Sequence, residues 1–434
     1  MNQLPWWEPQ QLAQALVRCF GSEGFVWLDG DGSPLGNRVL LAVAPQTQIC
    51  CSGLPGEPGS KDPFKALQEI QENRNGTTWL GWLAYEAGAW VEPSNHWQTP
   101  DTATLWAGCY GAVVHLDIQK QQLWLTGEAK YQKPLEALLR SKPTTADQQQ
   151  PTANAGIGLD DWYWHTTASA FEQQVNEVKE SIKAGDIFQA NLSVCVEYIL
   201  PANADPLAIY QRLRRHCPAP FGGLMIASNQ EAVLSASPER FISCDQEGNV
   251  ETRPIKGTRP RHQEQDKDAA AAAELITSAK DRAENIMIVD LLRNDLGRVC
   301  KVGSIKVPQL VGLESYAQVH HLTSVVTGLL ESKQTAASLM RACWPGGSIS
   351  GAPKISACAH LNKLEPVARG PYCGSFFHFK NDGSFDSNIL IRSVMVRAKR
   401  LRVHAGCGIV ADSNPQQEAA ELGWKIKPLL AALR

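Results

Sequence analysis

The chain has 434 residues, of which 43% are hydrophobic and 20% charged, with a formal net charge of -3. That is enough apolar material for one large domain or two to three ordinary ones. The small net charge gives no broad footprint for nucleic acid or anionic membrane, so the expected ligand is a small molecule.

The first residues, MNQLPWWEPQQLAQ, lack a basic segment followed by an apolar one. No run approaches the ~18 apolar residues that span a bilayer, so a cytoplasmic protein is expected. The 12 cysteines lie scattered from Cys19 to Cys407 without a CxxC pair and read as reduced thiols. Segments 77–90, 105–118 and 122–129 are rich in aromatic and β-branched residues, which makes residues 1–140 mainly β. Residues 141–160 lose this patterning to Pro, Thr, Gln, Ala and Gly and read as a linker or surface loop ahead of a main region, 161–434.

Within that region Phe171, Val175, Val178 and Ile182 fall at helical spacing, with Gly185 placed to end the helix. From Phe188 to Tyr198 the even positions are apolar, whereas Gln189, Asn191, Ser193 and Glu197 stand at odd ones. This alternation predicts a strand with one buried face and one polar face in solvent. In the stretch 253–261, Lys256 is surrounded by Arg253, Arg259 and Arg261. Neighbouring cations disfavour a charged ammonium, so Lys256 is a candidate nucleophile; the plainer reading is a basic loop gripping an anion.

A long helical stretch beginning near Asp266 puts Asp281 and Glu284 on one face, where they can converge on a cation. Asn414 and Pro415 then open a C-terminal helix in which Glu418, Glu421 and Lys425 share a stripe beside Leu422, Ile426, Leu429 and Leu433. Taken alone, both carboxylate pairs read as ion-paired surface faces.

The string PIKGTRPR around Lys256 resembles a signature of chorismate-utilising enzymes. The resemblance runs from about Trp162 to the C-terminus, through FQANLS (188–193), SASPERF (235–241), KDRAENIMIVDLLRNDLGR (280–298), VHHLTS (319–324), PGGSISGAPK (345–354), RGPYCGSF (369–376) and AGCGIVADS (405–413). GWLAYE (81–86) matches more weakly. The implied fold is α+β, with two antiparallel β-sheets packed together, helices outside, and N- and C-terminal parts forming one body.

The resemblance also implies roles. Mg2+ is the expected cofactor, held by Glu284 and Glu421, with Asp281 and Glu418 binding its waters. Tyr372 and Arg392 are expected on the enolpyruvyl carboxylate of chorismate. Ala405, Gly406 and Gly408 would turn backbone amides toward the ring carboxylate, and Lys425 would neutralise it. Gln189 and Thr258 join this substrate-binding set. His321 falls near C4 of the ring, and Glu239 is the expected general acid for the C4 hydroxyl, which requires a raised pKa. Read singly, Arg392 is a structural salt bridge, Tyr372 a core aromatic, His321 a structural residue and Glu239 half of a Glu–Arg pair at a strand end.

Lysine at position 256 is similar to aminodeoxychorismate synthases, where anthranilate synthases usually carry alanine. Gln189 replaces a lysine base of isochorismate-forming relatives, and glutamine cannot deprotonate water. The implied reaction therefore joins chorismate and ammonia into 4-amino-4-deoxychorismate, toward 4-aminobenzoate and folate. Gly406-Cys407-Gly408 is not placed at a nucleophile elbow, so ammonia is expected from a glutamine amidotransferase partner or from solution. The alternatives are an anthranilate synthase, an isochorismate or salicylate synthase, and a silent subunit that binds chorismate or tryptophan. Asn285 and Cys407 depart from the commoner pattern, and residues 25–36 do not clearly reproduce a tryptophan-feedback signature.

Overall fold

The computed structural model describes residues 4–73, 76–93, 96–141, 158, 161–202, 204–228, 230–316, 319–380 and 382–433. The expected linker at 141–160 thus lies outside the described residues, apart from 141 and 158.

Among the described residues the strands form an 11-stranded and a 10-stranded antiparallel sheet. The larger runs Gly351–Ala352, Gln189–Ile199, Arg400–Ile409, Ser393–Arg397, Glu231–Ser237, Phe221–Ile226, Val26–Asp29, Arg38–Ala42, Ala112–Asp117, Gln122–Gly127, with Tyr163–Trp164 also on the second strand. The smaller runs Ile255–Pro260, Val319–Leu329, Asn249–Thr252, Arg240–Cys244, Phe385–Asn388, Ser375–Phe379, Thr78–Leu83, Leu105–Tyr110, Thr47–Cys51, with Lys306–Ser315 also on the second strand. N-terminal strands thus pair with distant ones: Val26 lies opposite Met225, and Leu83 opposite Ser375.

Apolar stripes decide the layers, because each fully buried aliphatic or aromatic side chain contributes roughly 1.5–3 kcal/mol. Between the sheets, Val26, Leu40, Met225 and Val233 meet Leu80, Trp82, Trp106 and Phe376. The rings of Trp82 and Trp106 stack there at 4.9 Å. Helices Pro9–Phe20, Ala129–Arg140, Ala168–Ala184, Pro206–His216, Lys354–Leu364 and Pro415–Ala432 cover the outer face of the larger sheet. Pro63–Asn73, Ala279–Gly297 and Ala336–Cys343 pack on the smaller one.

Several elements differ from the sequence-based expectation. Segment 77–90 is not one strand: Thr78–Leu83 gives way to a 3-10 turn at Tyr85–Trp90. The Tyr85 N–H donates to Gly370 and the Glu86 carboxylate accepts the Gly370 N–H at 3.1 Å, which diverts the chain onto the loop carrying Tyr372. Segment 105–118 divides at Gly111 into Leu105–Tyr110 and Ala112–Asp117, which belong to different sheets. The helical stretch from Asp266 is two helices, Gln265–Thr277 and Ala279–Gly297. Ser278, in extended conformation, ends the first and caps the second by accepting the Asp281 N–H. Phe188, expected in the buried face, precedes its strand and is 67% exposed.

Other expectations hold. Gly185, at φ +86°, ends Ala168–Ala184 in the left-handed region, and Thr167, which the sequence reading did not single out, caps its start. The Asn414 side chain accepts the Gln416 and Gln417 amides, with Pro415 as first helical residue. Among the described residues, no helix is long and apolar enough to cross a membrane.

Candidate active site

Strand Ile255–Pro260 changes register against Val319–Leu329, from Ile255 opposite Thr323 to Thr258 opposite His321. The extra residue is a bulge containing Gly257 at φ +84°, where a Cβ would stand 2.9 Å from the Asp281 side chain. The bulge re-aims Lys256, whose Nζ donates to the Ser348 carbonyl at 3.3 Å.

Each of the flanking arginines is held by a carboxylate of its own. Arg253 pairs with Glu314, Arg259 with Glu274 and Asp281, and Arg261 with Asp268. Their charge is matched locally, and Lys256 instead stands in the field of Glu239, Glu284 and Glu421.

Glu239 is 5% exposed, and burial lifts its carboxyl to about 7 against the Ser348 hydroxyl, the Lys256 charge and the Ile255 amide. It forms no pair with its neighbour Arg240, which binds Asp386 and Glu251. A carboxyl that keeps its proton near neutrality suits a general acid. His321 is buried beside Thr258, with Nδ1 2.8 Å from its Oγ1. Burial and then the Arg392 charge push this imidazole down to about 4, so it is neutral at pH 7.

Arg392 sits at φ +52° and is half-buried. Among the described residues no carboxylate pairs with it, so the salt-bridge reading finds no support. Burial lowers its pKa, yet a guanidinium keeps its charge, and a desolvated cation without a counter-charge is a place for an anion. Tyr372 is buried and stacks on His404 at 5.1 Å. Its loop is clamped by the buried pair Arg369–Glu365 at 2.6 Å, and Glu365 also accepts the Ser193 N–H.

The polar side of strand Gln189–Ile199 is not in solvent. Gln189 and Ser193 are 1% and 2% exposed, and the Gln189 Oε1 has no partner among the described residues. A buried amide oxygen left unpaired is costly unless something binds there. A Cβ on Gly408 would lie 2.8 Å from Gln189 Nε2 and 3.8 Å from Glu284 Oε2, so only backbone fits between them. The pairing of Arg400–Ile409 with Ser393–Arg397 stops at Val403, which leaves that edge of Ala405, Gly406 and Gly408 without a strand partner.

Helices Ala279–Gly297 and Pro415–Ala432 bring the four acidic candidates together. Asp281 lies 3.4 Å from Arg259, Glu418 accepts the Ser413 hydroxyl at 2.7 Å, and Glu421 pairs with Lys425 at 2.8 Å. Lys425 also donates to the Gly406 carbonyl at 3.0 Å. Burial raises the Glu284 pKa against Lys256 and Lys280, with Asp281 and Glu421 adding to the rise. At Glu421 burial also acts upward, but Lys425, Lys280 and Lys256 outweigh it and lower the pKa. Carboxylate oxygens from two helices are the hard donors Mg2+ prefers. Cys407, whose sulfur converges with the Glu418 and Glu421 oxygens within 4.8 Å, is a soft donor that Mg2+ would leave unused.

Four contributors were not anticipated. Ser348 touches both Lys256 and Glu239, Lys280 stands among the carboxylates, and Glu365 with Arg369 holds the Tyr372 loop. Each lies in or next to a matched motif, and that position was the available signal. A cavity of about 500 Å3 lies away from Lys256 and the carboxylates, lined by Asp29, Tyr210, Arg214 and Ser235 among others.

Residues 40–431 match the chorismate binding enzyme family. The chain belongs to that family. It is 39% identical over 370 residues to an anthranilate synthase component I-like protein of Synechocystis sp., covering 82% of this chain and 72% of that one. It is 33% identical to an aminodeoxychorismate synthase of Streptomyces pristinaespiralis over 99% of this chain, and 41% identical to aminodeoxychorismate synthase component 1 of Escherichia coli over 63%. These two matches span 61% and 59% of the relatives' own lengths. Anthranilate synthase component I from Streptococcus pneumoniae superposes with a TM-score of 0.77 at 28% identity, over 91% of this chain and 92% of the other. The menaquinone-specific isochorismate synthase MenF from Escherichia coli, at 16% identity and TM-score 0.74 over 98% of this chain and 91% of its own, shares the fold.

Proposed function

We propose that this chain is an aminodeoxychorismate synthase of the component 1 kind, converting chorismate and ammonia to 4-amino-4-deoxychorismate. The observation that carries this reading is the bulged Lys256 beside a Glu239 whose carboxyl keeps its proton to about pH 7. Relatives that bear this activity in their names support it.

In this reading the unpaired Arg392 and Tyr372 anchor the enolpyruvyl carboxylate. The open backbone edge at Ala405, Gly406 and Gly408, with Lys425, receives the ring carboxylate. Glu284 and Glu421 would hold Mg2+, with Asp281 and Glu418 on its waters; bound there, the ion neutralises and orients the ring carboxylate. Glu239 gives its proton to the C4 hydroxyl, which leaves as water while the Lys256 amine forms a bond to C2 and both ring double bonds shift, C1=C2 to C1=C6 and C5=C6 to C4=C5. Ammonia then adds at C4, both double bonds return to their original places, and the Lys256 amine departs from C2. Neutral His321, held by Thr258, faces the C4 side, and Gln189 offers no base to water. Ammonia comes from a glutamine amidotransferase partner or from solution, and the setting is cytoplasmic.

A second reading, anthranilate synthesis, is favoured by the Synechocystis relative and the pneumococcal structure. The purified chain incubated with chorismate, Mg2+ and an ammonium salt decides between them by mass spectrometry. Product that yields 4-aminobenzoate only after an aminodeoxychorismate lyase is added supports the first; anthranilate supports the second. No turnover, even with an amidotransferase supplied, supports the silent regulatory subunit. Lys256→Ala is expected to abolish or redirect product formation while chorismate binding, followed by calorimetry, survives.

A further inference from the structure

Three of the four carboxylates of the proposed metal site have a cation beside them. Asp281 has Arg259, Glu421 has Lys425, and Glu418 has Lys280 at 3.6 Å. These cations are held very differently. Arg259 also bonds Glu274 and the Thr258 carbonyl, and Lys425 also donates to Gly406. Lys280 has Glu418 as its one direct partner among the described residues, at a separation beyond hydrogen-bond length, and its side chain is 53% exposed. It is therefore cheap to move.

Its place explains what it does there. Lys280 is the second residue of the helix Ala279–Gly297, next to Asp281 and one turn before Glu284, and it reaches across to the buried Glu418 of Pro415–Ala432. We propose that Lys280 is the resident counter-ion of this carboxylate cluster, an ammonium that a divalent cation must displace, so that it sets the metal concentration at which the site fills. Burial works against its charge, but all four acids, Glu418 first and then Glu284, Glu421 and Asp281, together outweigh it and raise its pKa, as expected of a cation in a shared anionic field. Without a counter-charge, like charges on two facing helices repel, and Lys280 relieves this until the metal arrives. The ammonium then swings to solvent, which its exposure permits.

The inference rests on the reading that Glu284 and Glu421 ligate the metal, and the test separates the two. Mn2+ binding to the full chain with chorismate present is measured by electron paramagnetic resonance for wild type, Lys280→Met, Lys280→Arg and Glu284→Gln. The expected result is Mn2+ binding that tightens roughly three- to tenfold in Lys280→Met, remains near wild type in Lys280→Arg, and is lost in Glu284→Gln. If Lys280 only staples two helices, Lys280→Met lowers the melting temperature and leaves the Mn2+ affinity unchanged or weaker, and the proposal is overturned. Mn2+ binding unaffected by Glu284→Gln overturns the ligand assignment, and no binding to any form overturns both.

Discussion

Arg392 shows how a side chain can be costly to the fold and useful to the site. A half-buried guanidinium without a carboxylate loses hydration and gains no partner, so its removal relieves the apoprotein. Arg392→Met should raise the melting temperature, worth about 1 kcal/mol, while the KM for chorismate rises ~100-fold; a variant that melts lower and binds normally would return the residue to a structural role. Glu239 makes the second prediction. Its folded pKa of about 7 exceeds the ordinary 4.5, so the acid form that donates to the leaving hydroxyl fades as pH rises. Above pH 7 the chemical step should slow tenfold per unit, and Glu239→Gln should lose ~10²–10⁴ of it. The stability sign follows: the buried carboxyl favours folding fully below pH 4.5 and this is lost through pH 7, so Glu239→Gln should melt higher than wild type at pH 8. Thermal melts at pH 5 and 8 check this. At this scale the sequence revealed residue types and their order, but not their electrostatic partners. Three arginines around Lys256 looked like a source of activation, yet Glu314, Glu274, Asp281 and Asp268, between 7 and 61 residues along the chain from the arginines they hold, pair with them once the chain folds.

Among the elements, the bulge at Gly257 carries most consequence, because a one-residue slip decides which way Lys256 points. Gly257→Ala places a side chain at φ +84° and 2.9 Å from Asp281. A cost of about 1–2 kcal/mol in stability is expected, with product formation falling at least ~10-fold as Lys256 turns away; full activity in that variant would mean the bulge does not aim the lysine. Helices bounded by local signals were legible in the sequence, as Gly185 and Asn414 show. The break at Ser278 was not, since serine is tolerated within helices and only the folded backbone reveals it as a shared cap. The strand Gln189–Ile199 was found by its alternation, but its polar face was misplaced. Period two distinguishes two faces without saying whether the second meets water or, as for Gln189 and Ser193, the inside of a cleft.

Taken as a whole molecule, the protein depends on its first quarter for both sheets. The fold class was readable through family motifs, whereas the order of strands was not, because pairing partners such as Thr78–Leu83 and Ser375–Phe379 share no local mark. A chain beginning at residue 161 keeps every proposed catalytic side chain but exposes the edge of Phe221–Ile226 left by Val26–Asp29 and that of Ser375–Phe379 left by Thr78–Leu83. Such a fragment should show no cooperative melt by circular dichroism; a sharp transition would mean that the catalytic region folds by itself. The same interleaving imposes a schedule on synthesis. At ribosomal speeds, the partner of Leu83 emerges roughly 15–60 s after it, so the nascent N-terminal strands must wait half-made, with sticky margins, until Ser375 has been added.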